Sequence, residues 1–590
     1  MSTLIHPVEP RRVTTSALTL ALAGLAAIAA LAAGGARAAT AASRGGTVTV
    51  LSAGDVDHID PGEAYYSFSY EITYATQRPL LAYKPSSVKA VPDLAVAMPT
   101  LSNAGKTVTV HIRHGVRFSP PVNREVTSAD VKYAIERGFA TSVANGYAGA
   151  YFGDLVGAPK PGTRAVPRIA GIRTPNRYTV VFALKHPSGV FVDALAQPLT
   201  APVPQDYARK FDSQTLSTYG MHQVATGPYM IANNSSGSIN GVGYKPGQQI
   251  ELVHNPNWSR RTSWRPAYVN EVLFKEGYQD PTVLTRTILS GGADVNGDTP
   301  PPPAELRSIL GNPSQRKQLH FTPTGGSRYV AFDTRKAPFD NVLVRKAAAT
   351  VLDRNAMRLT RGGAVDGRIA THFIDPGFGN DGFTQAGGFK FNPFPSPGFA
   401  GNVAKARRLM QKAGYPNGMY TGPQLTMVAD NSPPGSDTAQ VVAADLAKIG
   451  ISVKTISVTH SAMYTRFCNV PKNEPNVCPN VGWIPDFHDP QAILDVTFDG
   501  KSIVPANNSN WPLLNDPKLN AAMARAALLL DPTARAAAWG RIDRQVTTTA
   551  AAIPWLWESW PSLTSKHVTP APERWNQGAP DVTFMAVVSS

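Results

Sequence analysis

An α/β fold containing at least one parallel sheet is what this sequence predicts, and three stretches carry the prediction. In the first, Leu425-Thr-Met-Val-Ala429 has strand character. Val442, Leu446 and Ile449 then recur at helical spacing up to Gly450, and Ile451-Ser-Val-Lys-Thr-Ile-Ser-Val458 returns to a strand. Strand, helix and strand in that order make a βαβ crossover, which requires parallel strands and a right-handed connection. In the second, Thr107-Val-Thr-Val-His-Ile-Arg113, the apolar Val108, Val110 and Ile112 alternate with polar residues, the pattern of a half-buried strand. The third is the helix signal that follows. Thr127-Ser-Ala-Asp130 has the spacing of a capping box, and Val131, Ile135 and Phe139 continue at i, i+4 and i+8.

The remaining elements follow from the same logic. After Asp340, Leu343, Ala347 and Val351 trace an apolar stripe. Val403, Ala406 and Met410 trace another, with Gly414 at the left-handed position that ends a helix. Asp516-Pro517 and Asp531-Pro532 each start an Ala-rich helix, the acid as cap and the proline in the first turn. Ile553-Pro-Trp-Leu-Trp557 has strand character. Pro300-Pro-Pro-Pro303 is expected to be a stiff surface connector. No internal repeat is found.

Composition narrows the function classes. With 590 residues, 43% of them hydrophobic, the chain can bury a large core, and 16% charged is too little for a disordered chain. After the first forty residues no apolar run approaches the ~18 residues of a membrane span. The net charge of +15 raises the question of nucleic acid. However, basic residues occur at most in pairs, such as Arg260-Arg261 and Arg407-Arg408, and no basic stripe with interleaved aromatics is present. Nucleic-acid binding is therefore not expected.

Residues 1–38 read as an export signal. Arg11 and Arg12 precede the apolar run Ala17 to Ala33, and Ala36-Arg37-Ala38 is a candidate cleavage site. An uncleaved membrane anchor is the alternative. No Cys lies in this region, so the chain is not expected to be a lipoprotein. Export leads to an oxidising space, where Cys468 and Cys478 are expected to form a disulfide across a Pro/Asn-rich loop. No metal site is expected, since His and acidic partners at metal spacing are missing.

Catalytic signals fail. There is no Gly-x-Ser-x-Gly elbow, no His-Glu-x-x-His and no calcium loop. Gly105-Lys106-Thr107 resembles the end of a phosphate loop, but Thr100 stands where the first glycine belongs, and the segment runs into a strand. No catalytic residue and no cofactor are expected, and a secreted hydrolase is the weakest reading.

Several short motifs occur in order along nearly the whole chain. They are Ile59-Asp60-Pro61 with Arg78-Pro-Leu-Leu81, Val108 to Ser119 followed by Val126 to Tyr133, Thr226-Gly-Pro-Tyr229, and Asn255-Pro-Asn-Trp258. Ala337 to Lys346 with Leu352-Asp-Arg354, and Gly482-Trp-Ile-Pro-Asp-Phe-His-Asp-Pro490, complete the series. Together they resemble the extracellular solute-binding proteins of family 5, the peptide-binding components of ABC importers. The resemblance implies an α/β, bilobal, periplasmic-binding-protein-like fold with a hinge and an extra subdomain in the N-terminal lobe. Residues 39–88, 226–324 and 556–590 would form lobe I, 89–225 its extra subdomain, and 325–555 lobe II. The function implied is capture of oligopeptides and delivery to a membrane-embedded ABC permease. A monomer outside the cytoplasmic membrane is expected, periplasmic, in the cell-wall space or secreted. A sugar, a chelated metal or haem as ligand, or a sensor role, stays open on the same scaffold.

The resemblance also implies the site. In peptide-binding relatives the acid at the position of Asp486 pairs with the ligand's α-ammonium. A charge-assisted hydrogen bond of that kind is worth roughly 1.5–3 kcal/mol. The alternative is that Asp486 caps a turn before Pro490. Gly482, lacking a Cβ, would let a ligand backbone approach. Trp483 would stack on the ligand or wall the pocket, unless it is core. Tyr65, Tyr66 and Ser67 are expected from the first lobe and Tyr329 from the second. Pro485 and His488 depart from the family pattern and leave ligand preference open. An extended ligand would bond through its backbone between the lobes.

Overall fold

Two long antiparallel strands, Leu319–Phe332 and Ala552–Leu563, join two separate sheets. In this computed structural model the described residues are 42–54, 56–85, 87–377, 390–570, 573–575 and 579–588. The export signal expected over 1–38 lies outside them. One end of the strand pair, Leu319 with Leu563, packs with Leu51, Leu284 and Ile288. The other end places Val330, Phe332, Ile553 and Trp555 among Val344, Ala347 and Val442. The register between the strands breaks from Pro323 to Ser327, midway between the two cores. The lobe boundaries expected at 324/325 and 555/556 both fall inside these strands.

The first sheet runs Tyr244–Lys245, Gln249–His254, Glu271–Lys275, Thr47–Leu51, Val295–Asn296, with Tyr229–Ile231 also paired to Gln249–His254. Thr47–Leu51 is parallel to both Glu271–Lys275 and Val295–Asn296. The second sheet runs Gly367–Arg368, Ala552–Leu563, Leu319–Phe332, Val477–Trp483, Leu425–Asp430, Val453–Val458. Its last two strands pair in parallel across the helix Gly435–Ala447, the βαβ unit read from the sequence. Val442, Leu446 and Ile449 are buried as their spacing requires.

A four-stranded antiparallel sheet, Thr100–Ser102, Thr107–His111, Thr179–Ala183 and Ile172–Asn176, stands apart from both. Val108, Val110 and Ile112 face its core. The helix Ser128–Arg137 begins with the expected capping box, in which Asp130 accepts from the Thr127 backbone N–H at 2.8 Å. The helix stops before Phe139, which is buried in the following turn rather than on the helical stripe. In Val342–Val351 the cap is Asn341, and the buried stripe is Val344, Ala347, Ala348 and Val351, with Leu343 only half-buried. Asp516 and Asp531 cap Pro517–Ala527 and Pro532–Thr549 as their sequence predicts. Gly414 follows Val403–Lys412 with φ +100°. Cys468 and Cys478 are joined in a disulfide. It ties the turn Met463–Cys468 to the strand Val477–Trp483, with both sulfurs in the core.

Arg137 fastens the antiparallel subdomain to the first lobe. Its guanidinium is fully buried and bonds Asp60 and Asp212, both at 2.6 Å, with the Tyr219 ring 5.0 Å away. Two carboxylates buried around one cation depend on that cation, and deleting one partner of such a pair costs about 3–5 kcal/mol. Arg137→Met is therefore expected to lower stability by that amount in urea unfolding. Adding Asp60→Asn and Asp212→Asn should recover most of the loss. A single variant as stable as the parent would contradict the assignment.

Candidate functional site

A cavity of about 270 Å³ lies between the lobes. From the first lobe it receives the start of the helix Ser67–Thr76, with Tyr65, Tyr66 and Ser67, and residues 300–303. Those four prolines thus wall the cavity, and Pro301 is buried, which corrects their expected place as a surface connector. They fit a wall for the reason they fit a connector: their backbone is stiff, and the first three lead into a helix, Pro303–Gly311, that the fourth begins. The second lobe supplies the end of the strand Val477–Trp483, and Pro433 and Pro434 before the helix Gly435–Ala447.

Asp486 lines this cavity and is 8% exposed. The hydroxyl of Tyr151, from the short helix Ala148–Phe152, donates to its Oδ2 at 2.5 Å. Gln197 Nε2 donates to its backbone carbonyl at 3.0 Å, and the Tyr151 ring packs on Phe487 at 4.9 Å. So the loop carrying Asp486 docks on the subdomain of the other lobe. Burial pushes the carboxyl up to about 7, and the Tyr151 hydrogen bond offsets only part of that. No described cation stands within ion-pair reach. The turn before the helix Gln491–Phe498 is capped by Asp489 instead, which accepts from the Gln491 N–H and pairs with Arg535.

The other expected residues divide. Trp483 lines the cavity, and its indole N–H donates to Ala492 O at 2.7 Å, so it is an anchored wall. The Tyr65 ring stands 5.7 Å from Trp483, and its hydroxyl bonds Ser509 Oγ at 2.8 Å across the lobes. Tyr66 stacks edge-on to Tyr464. Gly482 also lines the cavity, but a Cβ there would stand 2.8 Å from Arg328 Cδ. The space its missing side chain leaves is filled by Arg328, not open to a ligand backbone. Tyr329 is not brought to the cavity. It is 1% exposed and packs among Phe373, Phe498 and Trp511.

Sequence reasoning missed the charged group on the same cavity. Arg328 Nε donates to both oxygens of Glu558 at 3.0 Å, and Arg361 Nη1 donates to Glu558 Oε1 at 3.0 Å. Burial opposes the Glu558 charge, but the two guanidiniums outweigh it and hold the carboxyl below its usual range. Asp366 joins the lining, pushed up to about 7 by burial. Asp430 accepts from Asn480 and pairs with His460 at 2.8 Å. These residues come from six separate segments, and no local spacing joins them.

Comparison with known proteins decides what this geometry belongs to. The model described as bacterial extracellular solute-binding proteins, family 5 middle, matches residues 89–503. The chain belongs to this family. It is a solute-binding protein of the transport type, not an enzyme. The Di/tripeptide-binding protein 3 of Pseudomonas aeruginosa is 24% identical over 480 residues, 78% of this chain and 80% of the relative. Heme-binding protein A of Haemophilus influenzae is 26% identical over 488 residues, 80% of each chain. Among solved structures, the clavulanic acid biosynthesis oligopeptide binding protein 2 superposes with a TM-score of 0.76 at 27% identity, over 93% of this chain and 96% of that one. The described residues contain no helix long and apolar enough to cross a membrane.

The raised Asp486 carboxyl makes a stability prediction. The unfolded chain ionises this group near its ordinary 3.8, the folded chain near 7. The folded state therefore holds the extra proton, and the group's contribution to stability, full below pH ~4, is lost as pH rises through 7. Asp486→Asn, which keeps an oxygen for Tyr151, should stabilise the closed, ligand-free form by roughly 4 kcal/mol at pH 8 and hardly at pH 4. Urea unfolding at the two pH values checks this, and an equal effect at both would contradict it.

Proposed function

We propose that this protein is an extracytoplasmic receptor that captures short peptides by their free amino end at Asp486 and passes them to an ABC permease. The observation that carries this reading is a carboxylate in a cavity between two lobes, held by a tyrosine hydroxyl, with no described cation to neutralise it. A ligand ammonium supplies what is missing: charge, and donors for the oxygens that Tyr151 leaves unfilled.

The two lobes explain how such a site loads. With the lobes parted, water solvates Asp486 and keeps it ionised, so that it attracts a cation. As they meet, Tyr65 bonds Ser509, Gln197 bonds the Asp486 carbonyl, and Asn507 Nδ2 donates to Ala144 O at 3.0 Å. Water leaves the carboxylate at that point, and the ammonium replaces it. The ligand therefore favours the closed form because only there does it touch both sides. The bulge at 323–327, between the two cores on the crossover strand, is where the motion would be absorbed. The Di/tripeptide-binding protein named above supports peptides as the ligand class. The signal pattern of residues 1–38 and the Cys468–Cys478 disulfide support a site of action outside the cytoplasm.

Calorimetric titration with di- to hexapeptides tests the reading. Free-amine peptides should bind, and N-acetylation should weaken them at least about 10-fold, the size of one charge-assisted hydrogen bond. In Asp486→Asn the two forms should bind alike. Folded wild-type protein that binds no peptide would overturn the function.

A further inference from the structure

The subdomain carries a row of cations that the cavity does not use. Residues 89–225 hold 15 Lys and Arg against 8 Asp and Glu, and from Leu155 to Val192 there are 6 Lys and Arg with no acid among them. Lys160, Arg164, Arg168, Arg173, Arg177 and Lys185 are all exposed, and none has an ion-pair partner among the described residues. The acids nearby are taken. Glu136 faces Lys132 at 3.5 Å and accepts from the Ile169 N–H, Asp130 pairs with Arg124, and Glu125 accepts from the Tyr178 hydroxyl. Asp154 is exposed, at the Lys185 end of the row.

Four of these cations lie in order along one helix. The chain from Thr163 to Arg177 runs back beside Ser128–Arg137, from the end of the helix to its start. Thr163 O accepts from Thr141 N at 2.8 Å, and Thr163 N donates to Phe139 O at 3.0 Å. Further along, Glu136 holds Ile169, and Lys132 Nζ donates to Ile172 O at 2.6 Å. Ser128 N donates to Arg177 O at 2.8 Å. The helix and the turn after it, residues 128–140, are about 18 Å long, so Arg164, Arg168, Arg173 and Arg177 average roughly 6–8 Å apart. That is within a Debye length of ~8 Å at physiological salt, so their fields add, and unpaired like charges so spaced weigh against the folded chain. Arg173 also lines a shallow groove between the helix and the strand Ile172–Asn176. None of the four lines the cavity between the lobes.

We propose that this strip holds a linear phosphodiester polymer of the cell envelope, which retains the receptor there. The proposal goes beyond peptide capture and rests only on the extracytoplasmic location given above. A row of guanidinium forks suits phosphate oxygens. A chain with one phosphodiester per three-carbon unit has about six backbone bonds per charge, ~7 Å at the ~1.2 Å per bond of an extended peptide, which matches the arginines. A bilayer fits less well, since from Gly157 to Val192 no large apolar side chain is exposed for insertion. Single-stranded nucleic acid has similar charge spacing but binds by stacking bases on aromatic faces. Tyr178, the aromatic residue beside the strip, is half-buried with its ring 3.7 Å from that of His114.

The test is equilibrium binding of the full chain to poly(glycerol phosphate), polyglutamate, single-stranded DNA and phosphatidylglycerol vesicles, at roughly 50 and 200 mM salt. Poly(glycerol phosphate) should bind, and more weakly at the higher salt. Each of Arg164→Gln, Arg168→Gln, Arg173→Gln and Arg177→Gln should weaken it about threefold, and the four together about 50- to 100-fold. A control variant removes the same charge from the second lobe, through Arg407→Gln, Arg408→Gln, Lys412→Gln and Lys454→Gln, all at exposed positions. It should stay within about threefold of wild type. Equal losses in the two variants would show attraction by net charge alone and overturn the strip. No binding of poly(glycerol phosphate) at the lower salt, or equal binding of polyglutamate, would overturn the phosphodiester. If DNA or vesicles bind more tightly and lose that binding in the four-arginine variant, the occupant is a nucleic acid or a membrane instead. Peptide titrations should be unchanged in that variant, so the strip can fail while the peptide reading stands. Should the variant not fold, hydrogen exchange on the wild type decides: poly(glycerol phosphate) must protect residues 160–178, and protection elsewhere would overturn the assignment.

Discussion

A carboxylate shut away from bulk water between two lobes is the constraint to which the rest of this structure answers. Asp486 is charged in the open and costly when enclosed, because its described surroundings offer a tyrosine hydroxyl and no cation. In the proposed function that cost is what turns binding into closure. A partner that neutralises the acid makes the enclosed state favourable, and a partner that does not leaves it unfavourable. Selectivity and motion thus share one physical origin.

The scaffold is arranged around that demand. The strands Leu319–Phe332 and Ala552–Leu563 belong to one ladder but end in two different cores, so the lobes are linked by hydrogen-bonded backbone rather than by loose linkers. Such a link limits the directions in which the lobes can part. The disulfide and the packed, mutually tilted rings of Tyr65, Trp483 and Trp511 stiffen the wall leading into Asp486. A charged group can be held in a water-poor place only if its neighbours do not rearrange to swallow it.

Charge is distributed against the average of the chain. The protein is strongly basic overall at +15, yet its cavity lining includes Asp298, Asp366, Asp430, Asp486 and Glu558 against Arg328 and Arg361. Most of these charges are answered inside the protein. Asp298 accepts from the Ala53 and Gly54 backbone N–H groups, Asp430 from His460 and Asn480, and Glu558 from both arginines. Asp486 is buried with neither an ion-pair partner nor a backbone donor for its carboxylate among the described residues, so the proposed function turns on it.

Local signals were legible in the sequence because they depend on neighbours a few residues apart. The capping box of Thr127 and Asp130, the Asp-Pro helix starts at 516 and 531 and the βαβ unit of residues 425–458 all appear where their spacing puts them. Tyr329 shows where such reading ends. Its neighbour Arg328 reaches the cavity while Tyr329 enters the core, since adjacent strand residues point to opposite faces. The four prolines at 300–303 spell stiffness wherever they stand, so only packing could make them a cavity wall rather than a surface strap. The sequence by itself determined the elements, their order and the family motifs, because hydrophobic period and backbone preference are short-range. Tertiary structure alone decided that Arg328, Arg361, Asp366, Glu558 and Asp486 share one space, because residues far apart along the chain meet only when the strands that carry or flank them pair into one sheet.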